Sequence, residues 1–192
     1  EENQIREPIV QGIFYPDTSD ELKTTVERIL QEAEDKFSIE SGATAIISPH
    51  ASYEFCGTYI GSAFLAAAER EVRTVVIIGP VHRETEDAIY LTESKYFYTP
   101  LGNLEVDEEV VSELEASSTR IFRNDIPHLE EHAIEVQLPF IQYLFPGARI
   151  VPILLGRPTL TNARILNNAL ETALSQKEST LFVASSNLSS HT

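Results

Sequence analysis

Short β-branched runs alternating with amphipathic stretches predict an α/β fold, a three-layer sandwich with a mostly parallel central sheet. Two observations lead to it. The run Val75-Val76-Ile77-Ile78 is unbroken and β-branched, as suits a strand covered on both faces. Before it come a shorter apolar run at residues 43–47 and an Ala-rich helical stretch at about residues 57–69. A strand, a helix of about a dozen residues and a second strand make a βαβ unit, which joins parallel strands.

The remaining elements follow in order. Gly12-Ile13-Phe14-Tyr15-Pro16 reads as a short extended piece. Thr18 and Glu21 are spaced as a capping box, opening a helix that buries Leu22, Val26, Ile29, Leu30, Ala33 and Phe37. Gly42 closes that excursion. Residues 88–99 alternate weakly and suggest a hairpin or an edge extension. Residues 105–115 suggest an acidic, solvated helix. Residues 130–144 carry a helical pattern that Pro139 must kink or break. Residues 149–155 form a strand whose Pro152 suggests an edge or a bulge. An amphipathic helix over 159–175 and a last strand over 181–184 complete the pattern.

The chain of 192 residues is read as one domain spanning 1–192, long enough to bury a sizeable core. A net charge of −16 lacks the basic footprint of a nucleic-acid binder and is repelled by anionic membranes, whereas a cation is attracted. Solubility is the simplest reading of that charge. No apolar run nears the ~20 residues of a membrane span. The start, Glu1-Glu2-Asn3-Gln4, is unlike a secretory signal, and Cys56 is the single cysteine. Together these suggest a cytoplasmic protein without intrachain disulfides. Any bound metal must rely on nitrogen and oxygen ligands, with at most one sulfur.

In mostly parallel sheets, ligands sit beyond the carboxyl ends of the strands. Three strands end alike: Ser48-Pro49-His50, Gly79-Pro80-Val81-His82, and Ser185-Ser186-Asn187 with His191 beyond. With the first two strands as neighbours about 4.8 Å apart, His50 and His82 reach one ion. Imidazole suits iron, copper, zinc or nickel without choosing among them. A lone loop histidine is ordinarily a surface residue; two at matched strand ends point to a shared site.

Glu130-Glu131-His132-Ala133-Ile134-Glu135 adds a third cluster. On a helix His132 and Glu135 share a face as an acid/base or ligand pair, while Glu130 and Glu131 complement the helix dipole. The simpler reading is a polar helix terminus, and the residues alone weigh the two evenly. His128, after Pro127, is expected to cap or to face solvent. Cys56 stands near a helix N-terminus, where a thiol can become reactive, although a lone cysteine is more often a small buried residue. Tyr53 and Glu54 lie in the same stretch, within reach of the pocket. Phosphate-loop, dinucleotide and Gly-x-Ser-x-Gly signatures do not occur.

These motifs, in order, resemble the Memo-like family, also called AmmeMemoRadiSam system protein B. The likeness runs through Arg6-Glu7-Pro8, Gly12-Ile13-Phe14-Tyr15-Pro16, Ser48-Pro49-His50-Ala51, Gly79-Pro80-Val81-His82 and Thr99-Pro100-Leu101-Gly102. It continues through Glu131-His132-Ala133-Ile134-Glu135-Val136-Gln137-Leu138-Pro139-Phe140, Val151-Pro152-Ile153 and Ser185-Ser186-Asn187-Leu188. The resemblance implies a fold similar to class III extradiol dioxygenases. It also implies a pocket where His50 and His82 bind Fe(II) or copper, with His132 and Glu135 beside it in catalytic roles. Asn187, His191, Tyr53 and Cys56 are the further pocket candidates.

The sequence departs from the family in places. Asn187 stands where an Asp is usual, Ser190 where a His is usual, His191 comes one residue late, and Ser52 replaces a Gly. The family's C-terminal segment, with the Cys that completes the metal set in some members, is missing from 1–192, and Cys56 is not its counterpart. The third ligand is therefore unassigned. The resemblance implies a metal-dependent redox or dioxygenase-like role. The alternative is a non-catalytic module binding a small molecule or a peptide in the same pocket, as eukaryotic relatives in receptor-driven motility are described to bind phosphotyrosine peptides. The family name further implies a pathway shared with radical-SAM and AMMECR1-like proteins.

Overall fold

The computed structural model describes residues 4–82 and 86–187. Strand β1 (Ile5–Arg6) leads into a tight turn, and then α1 (Ser19–Lys36) starts where expected, with the Thr18 hydroxyl accepting from Glu21 N at 3.4 Å. β2 (Ala45–Ser48), α2 (Tyr53–Leu65) and β3 (Thr74–Pro80) form the anticipated βαβ unit, α2 starting four residues earlier than the sequence suggested. Gly57 makes room for the α1–α2 packing, since a Cβ there would stand 2.8 Å from Ile29 Cδ1.

The region 88–99 divides. β4 (Ile89–Leu91) joins the main sheet, whereas β5 (Tyr96–Thr99) forms a hairpin with β6 (Gly102–Glu105). β5 also pairs with β1, giving a separate three-stranded sheet. Helix α3 (Glu108–Ser117) is acidic outside but buries Val110, Val111 and Leu114, so it is less solvated than its charges suggest. β7 (Ile121–Arg123) follows, a strand too short for the sequence pattern to reveal.

The expected helix over 130–144 is three pieces: α4 (Asp125–Glu130), a 3₁₀ turn at Glu135–Gln137, and α5 (Leu138–Leu144). Pro139 is not the breaker. It occupies the first turn of α5, where a missing N–H costs nothing. The break lies at residues 131–134, where the Glu131 carboxylate captures Ala133 N at 3.0 Å and competes with helical bonding.

β8 (Arg149–Leu155), α6 (Leu160–Ala173) and β9 (Thr180–Ser185) follow, at the places the sequence suggested. The six-stranded sheet has the order β2-β9-β3-β8-β4-β7, antiparallel only between β4 and β8. Helices α1, α2 and α5 pack on one another, as do α3 and α6, giving a three-layer sandwich. Pro152 therefore sits inside the sheet. It is tolerated because β4 pairs with β8 only at Leu154 and Leu155, leaving Pro152 with a ladder partner on one side. The assumption that β2 and β3 are neighbours is also corrected: β9 lies between them. Among the described residues no helix is long and apolar enough to cross a membrane.

An ionic clasp ties the N-terminal segment to residues 128–135. Arg6, 2% exposed, pairs with the Glu135 carboxylate and donates to the carbonyls of His128 and Glu131. Glu135 also accepts from Ile9 N at 2.8 Å, Val10 N at 2.9 Å and Tyr15 Oη at 2.8 Å. His128 neither caps nor faces solvent. It is buried, its Nε2 donating to the Tyr90 carbonyl at 3.0 Å.

Two outcomes follow from the clasp. Replacing Glu135 by Ala strands a buried guanidinium and should cost about 3–5 kcal/mol in urea unfolding. Burial, followed in importance by the Tyr90 bond that opposes it, leaves the His128 pKa lowered from 6.5 to about 4. The unfolded chain thus takes up a proton first as pH falls below 6.5. Stability from neutral His128 is present above that pH and is lost on the way down to about 4, at most about 3 kcal/mol. The pH dependence of unfolding for His128→Gln should be shallower than wild type across that window; an identical slope contradicts this assignment.

Candidate functional site

His50 and His82 meet above the end of β9. Their Nε2 atoms lie 3.4 Å apart. The His132 ring joins them, its centroid 5.7 Å from each of the other two, and it stacks on His82 at an interplanar angle of 8°. The three histidines singled out by the sequence thus form one imidazole cluster. His50 is 1% exposed, whereas the His82 and His132 side chains are 45% and 29% exposed, so the cluster opens on that side. The half-buried Phe14 ring stands edge-on to His132 at 4.8 Å.

The fold brings these rings together across an intervening strand. Strands two apart in a sheet are separated by roughly 10 Å. The loop after β2 is held to β9 by Ser186 N donating to the Ser48 carbonyl at 2.9 Å. His50 Nδ1 then engages Ser185 Oγ at 3.0 Å, so the ring leans over the end of β9. From the other side, Glu131 accepts from His82 N at 3.1 Å and His82 Nδ1 at 2.6 Å, fixing the loop and the ring together. The 131–134 segment reaches the sheet because residue 79 is glycine; a Cβ there would crowd Ala133 Cβ at 3.1 Å.

Burial disfavours charge on two of the three rings. Burial first, then repulsion from His82 and His132, pushes the His50 pKa down to about 4. Burial lowers His132 also, in spite of Glu131. Burial alone would raise the Glu131 carboxyl, but hydrogen bonds from the His82 ring, His82 N and Ala133 N together outweigh it and hold it below the usual carboxylate range. The result is one carboxylate bracing the His82 ring beside two imidazoles, His50 and His132, that burial disposes to stay neutral. Among the described residues, no group of three or more His, Cys, Asp or Glu side chains is arranged as a complete metal-ligand set.

The other candidates fall elsewhere. His132 and Glu135 do not share a helical face, because the helix is broken between them. The Glu135 carboxylate has its four acceptor positions filled by Arg6, Ile9, Val10 and Tyr15, leaving none for the imidazoles. Tyr53 is buried with its hydroxyl on the Val136 carbonyl at 2.6 Å, a brace behind the site. Cys56 is 7% exposed and burial pushes its thiol up, the opposite of an activated thiolate. Asn187 is exposed beyond β9. His191 lies outside the described residues.

Sequence reasoning missed Glu131, Ser185 and Gln137, the last of which donates to Ser185 Oγ and the Pro49 carbonyl beneath His50. Glu131 adjoins His132 and was read only as a helix-dipole residue. Ser185 was noted only as a strand end; its place opposite Ser48 follows from the pairing of β2 with β9, which the sequence does not reveal.

Comparisons with known proteins place the chain in a family. The family model described as Memo-like protein matches residues 6–192. A MEMO1 family protein of Caldivirga maquilingensis is 33% identical over 193 residues, covering 97% of this chain and 68% of the relative. Another from Methanobrevibacter smithii is 33% identical, covering 96% and 69%. One from Thermotoga neapolitana is 35% identical, covering 96% and 70%. The chain belongs to the Memo-like protein family.

Proposed function

We propose that this protein is a metal-binding member of its family, with His50 and His82 holding one iron or copper ion in a site suited to redox chemistry. One observation carries the reading: two Nε2 atoms face each other at 3.4 Å while each ring's Nδ1 is engaged elsewhere. A cation between these two nitrogens would take a lone pair from each ring. For metal–nitrogen bonds of about 2.0–2.1 Å, the edge of a tetrahedron is about 3.3–3.4 Å. The donor set therefore fits an ion, and the Glu131–His82 pair is the carboxylate–imidazole support that metal ligands commonly have. The net charge of −16 favours a cation further.

An iron or copper ion there would supply oxygen or electron-transfer chemistry. The remaining coordination positions would fall to water, substrate or a donor outside the described residues. His132, neutral near pH 7, would accept a proton from a bound ligand, and Phe14 would shield that side from water.

Exposed apolar side chains favour a second reading, ligand capture without catalysis. Ile13 and Phe55, 73% and 81% exposed, border a cavity of about 510 Å³ that also includes Phe14. Asp17, Glu21, Glu32 and Glu54 line it against a single cation, Arg28, so a basic, apolar small molecule or peptide would suit it. In that case Phe55→Ser weakens ligand binding and leaves metal content unchanged.

Protein purified anaerobically and offered Fe(II) or Cu(I) should retain about one ion per chain, by elemental analysis. His50→Ala and His82→Ala should each lose it, and His132→Ala should keep most of it. A metal-free wild type, or loss in His132→Ala with retention in His82→Ala, overturns the assignment.

A further inference from the structure

We infer that Ser185 is a positioning residue that locks His50 in the tautomer bearing hydrogen on Nδ1, with Gln137 bracing the lock. Counting hydrogens fixes the direction of each bond. Ser185 Oγ has three partners: the Ala133 carbonyl at 2.7 Å, Gln137 Nε2 at 3.2 Å and His50 Nδ1 at 3.0 Å. A hydroxyl has one hydrogen to donate and two lone pairs to accept with. The Ala133 carbonyl can only accept, so it takes that hydrogen. Toward its other two partners the oxygen must accept.

Gln137 is held the same way round. Its other contact is the Pro49 carbonyl at 2.9 Å, again an obligate acceptor, so this end of the amide is the NH₂ group. Among the described residues Gln137 Oε1 has no partner, although the side chain is fully buried. An unpaired buried oxygen costs about 1–3 kcal/mol. Flipping the amide would not relieve that cost, because it would set oxygen against the Pro49 carbonyl. Two backbone carbonyls thus dictate the direction of every bond in the relay. The last donor is His50 Nδ1–H, which leaves His50 Nε2 with its lone pair aimed at His82.

The same Gln137 bond that supports Ser185 also fixes the carbonyl of Pro49, the residue before His50. Ring orientation and backbone position are therefore set by one buried amide. The relay stands on hydrogen-bond directions alone; its effect on a metal ion rests on the function proposed above.

Long-range ¹H–¹⁵N correlation on metal-free, histidine-labelled protein reads the tautomer directly. Wild type should show His50 protonated on Nδ1 and bare on Nε2. Ser185→Ala should shift the proton toward Nε2, and Ser185→Thr, which keeps the hydroxyl, should restore the wild-type pattern. Wild-type His50 with its proton on Nε2 overturns the inference, and so does Ser185→Ala with an unchanged tautomer. Loaded with Fe(II) or copper, Ser185→Ala should bind about 10- to 100-fold more weakly and Ser185→Thr like wild type. If wild type takes up no metal, the proposed function fails while the tautomer result still decides the relay.

Discussion

His50 and His82 leave strands that are not neighbours, and they meet only because β9, inserted between those strands, ends in a buried hydroxyl beneath them. Everything else about the site is arranged around that strand end. Ser185 holds the His50 ring and the Ala133 carbonyl, so the loop after β2 and the segment after α4 converge on one oxygen. Glu131, from the same segment, then takes His82 by both its ring and its backbone. Without the Ser185 hydroxyl at the end of β9, the His50 ring would lose the contact that leans it across the intervening strand toward His82.

The broken stretch 131–137 does several jobs at once. As a continuous helix it would carry His132 and Glu135 on one face and leave His82 without its carboxylate. Broken, it sends consecutive acidic and amide groups in different directions. Glu131 goes to His82, Glu135 to the Arg6 clasp, and Gln137 to Pro49 and Ser185. The N-terminal segment is therefore coupled to the 131–137 stretch through Glu135, whose four acceptor positions are filled in the clasp and offset the desolvation of the buried pair. It also carries Phe14 to the ring of His132.

Much of this was legible in the residues. The unbroken β-branched run 75–78 announced a doubly covered strand, and the matched ends of β2 and β3 pointed to His50 and His82. Strand order was not legible, because apolar pattern reveals strands but not which ones pair; β9 lies inside the sheet, between β2 and β3. Glu135 was read as a site residue because its spacing from His132 suits a helix, and the helix does not exist there. Glu131 and Ser185 were passed over because each has an ordinary local role, at a helix end and a strand end. Their real partners are 49 and 135 residues away in sequence.

The central claim is that one ion sits between the two facing imidazole nitrogens. Crystals grown anaerobically with Fe(II) and measured at the iron absorption edge test it most directly. The account predicts a single anomalous peak about 2 Å from the Nε2 atoms of both His50 and His82. A peak elsewhere on the acidic surface, or bare imidazoles at full metal loading of the crystal, would contradict it.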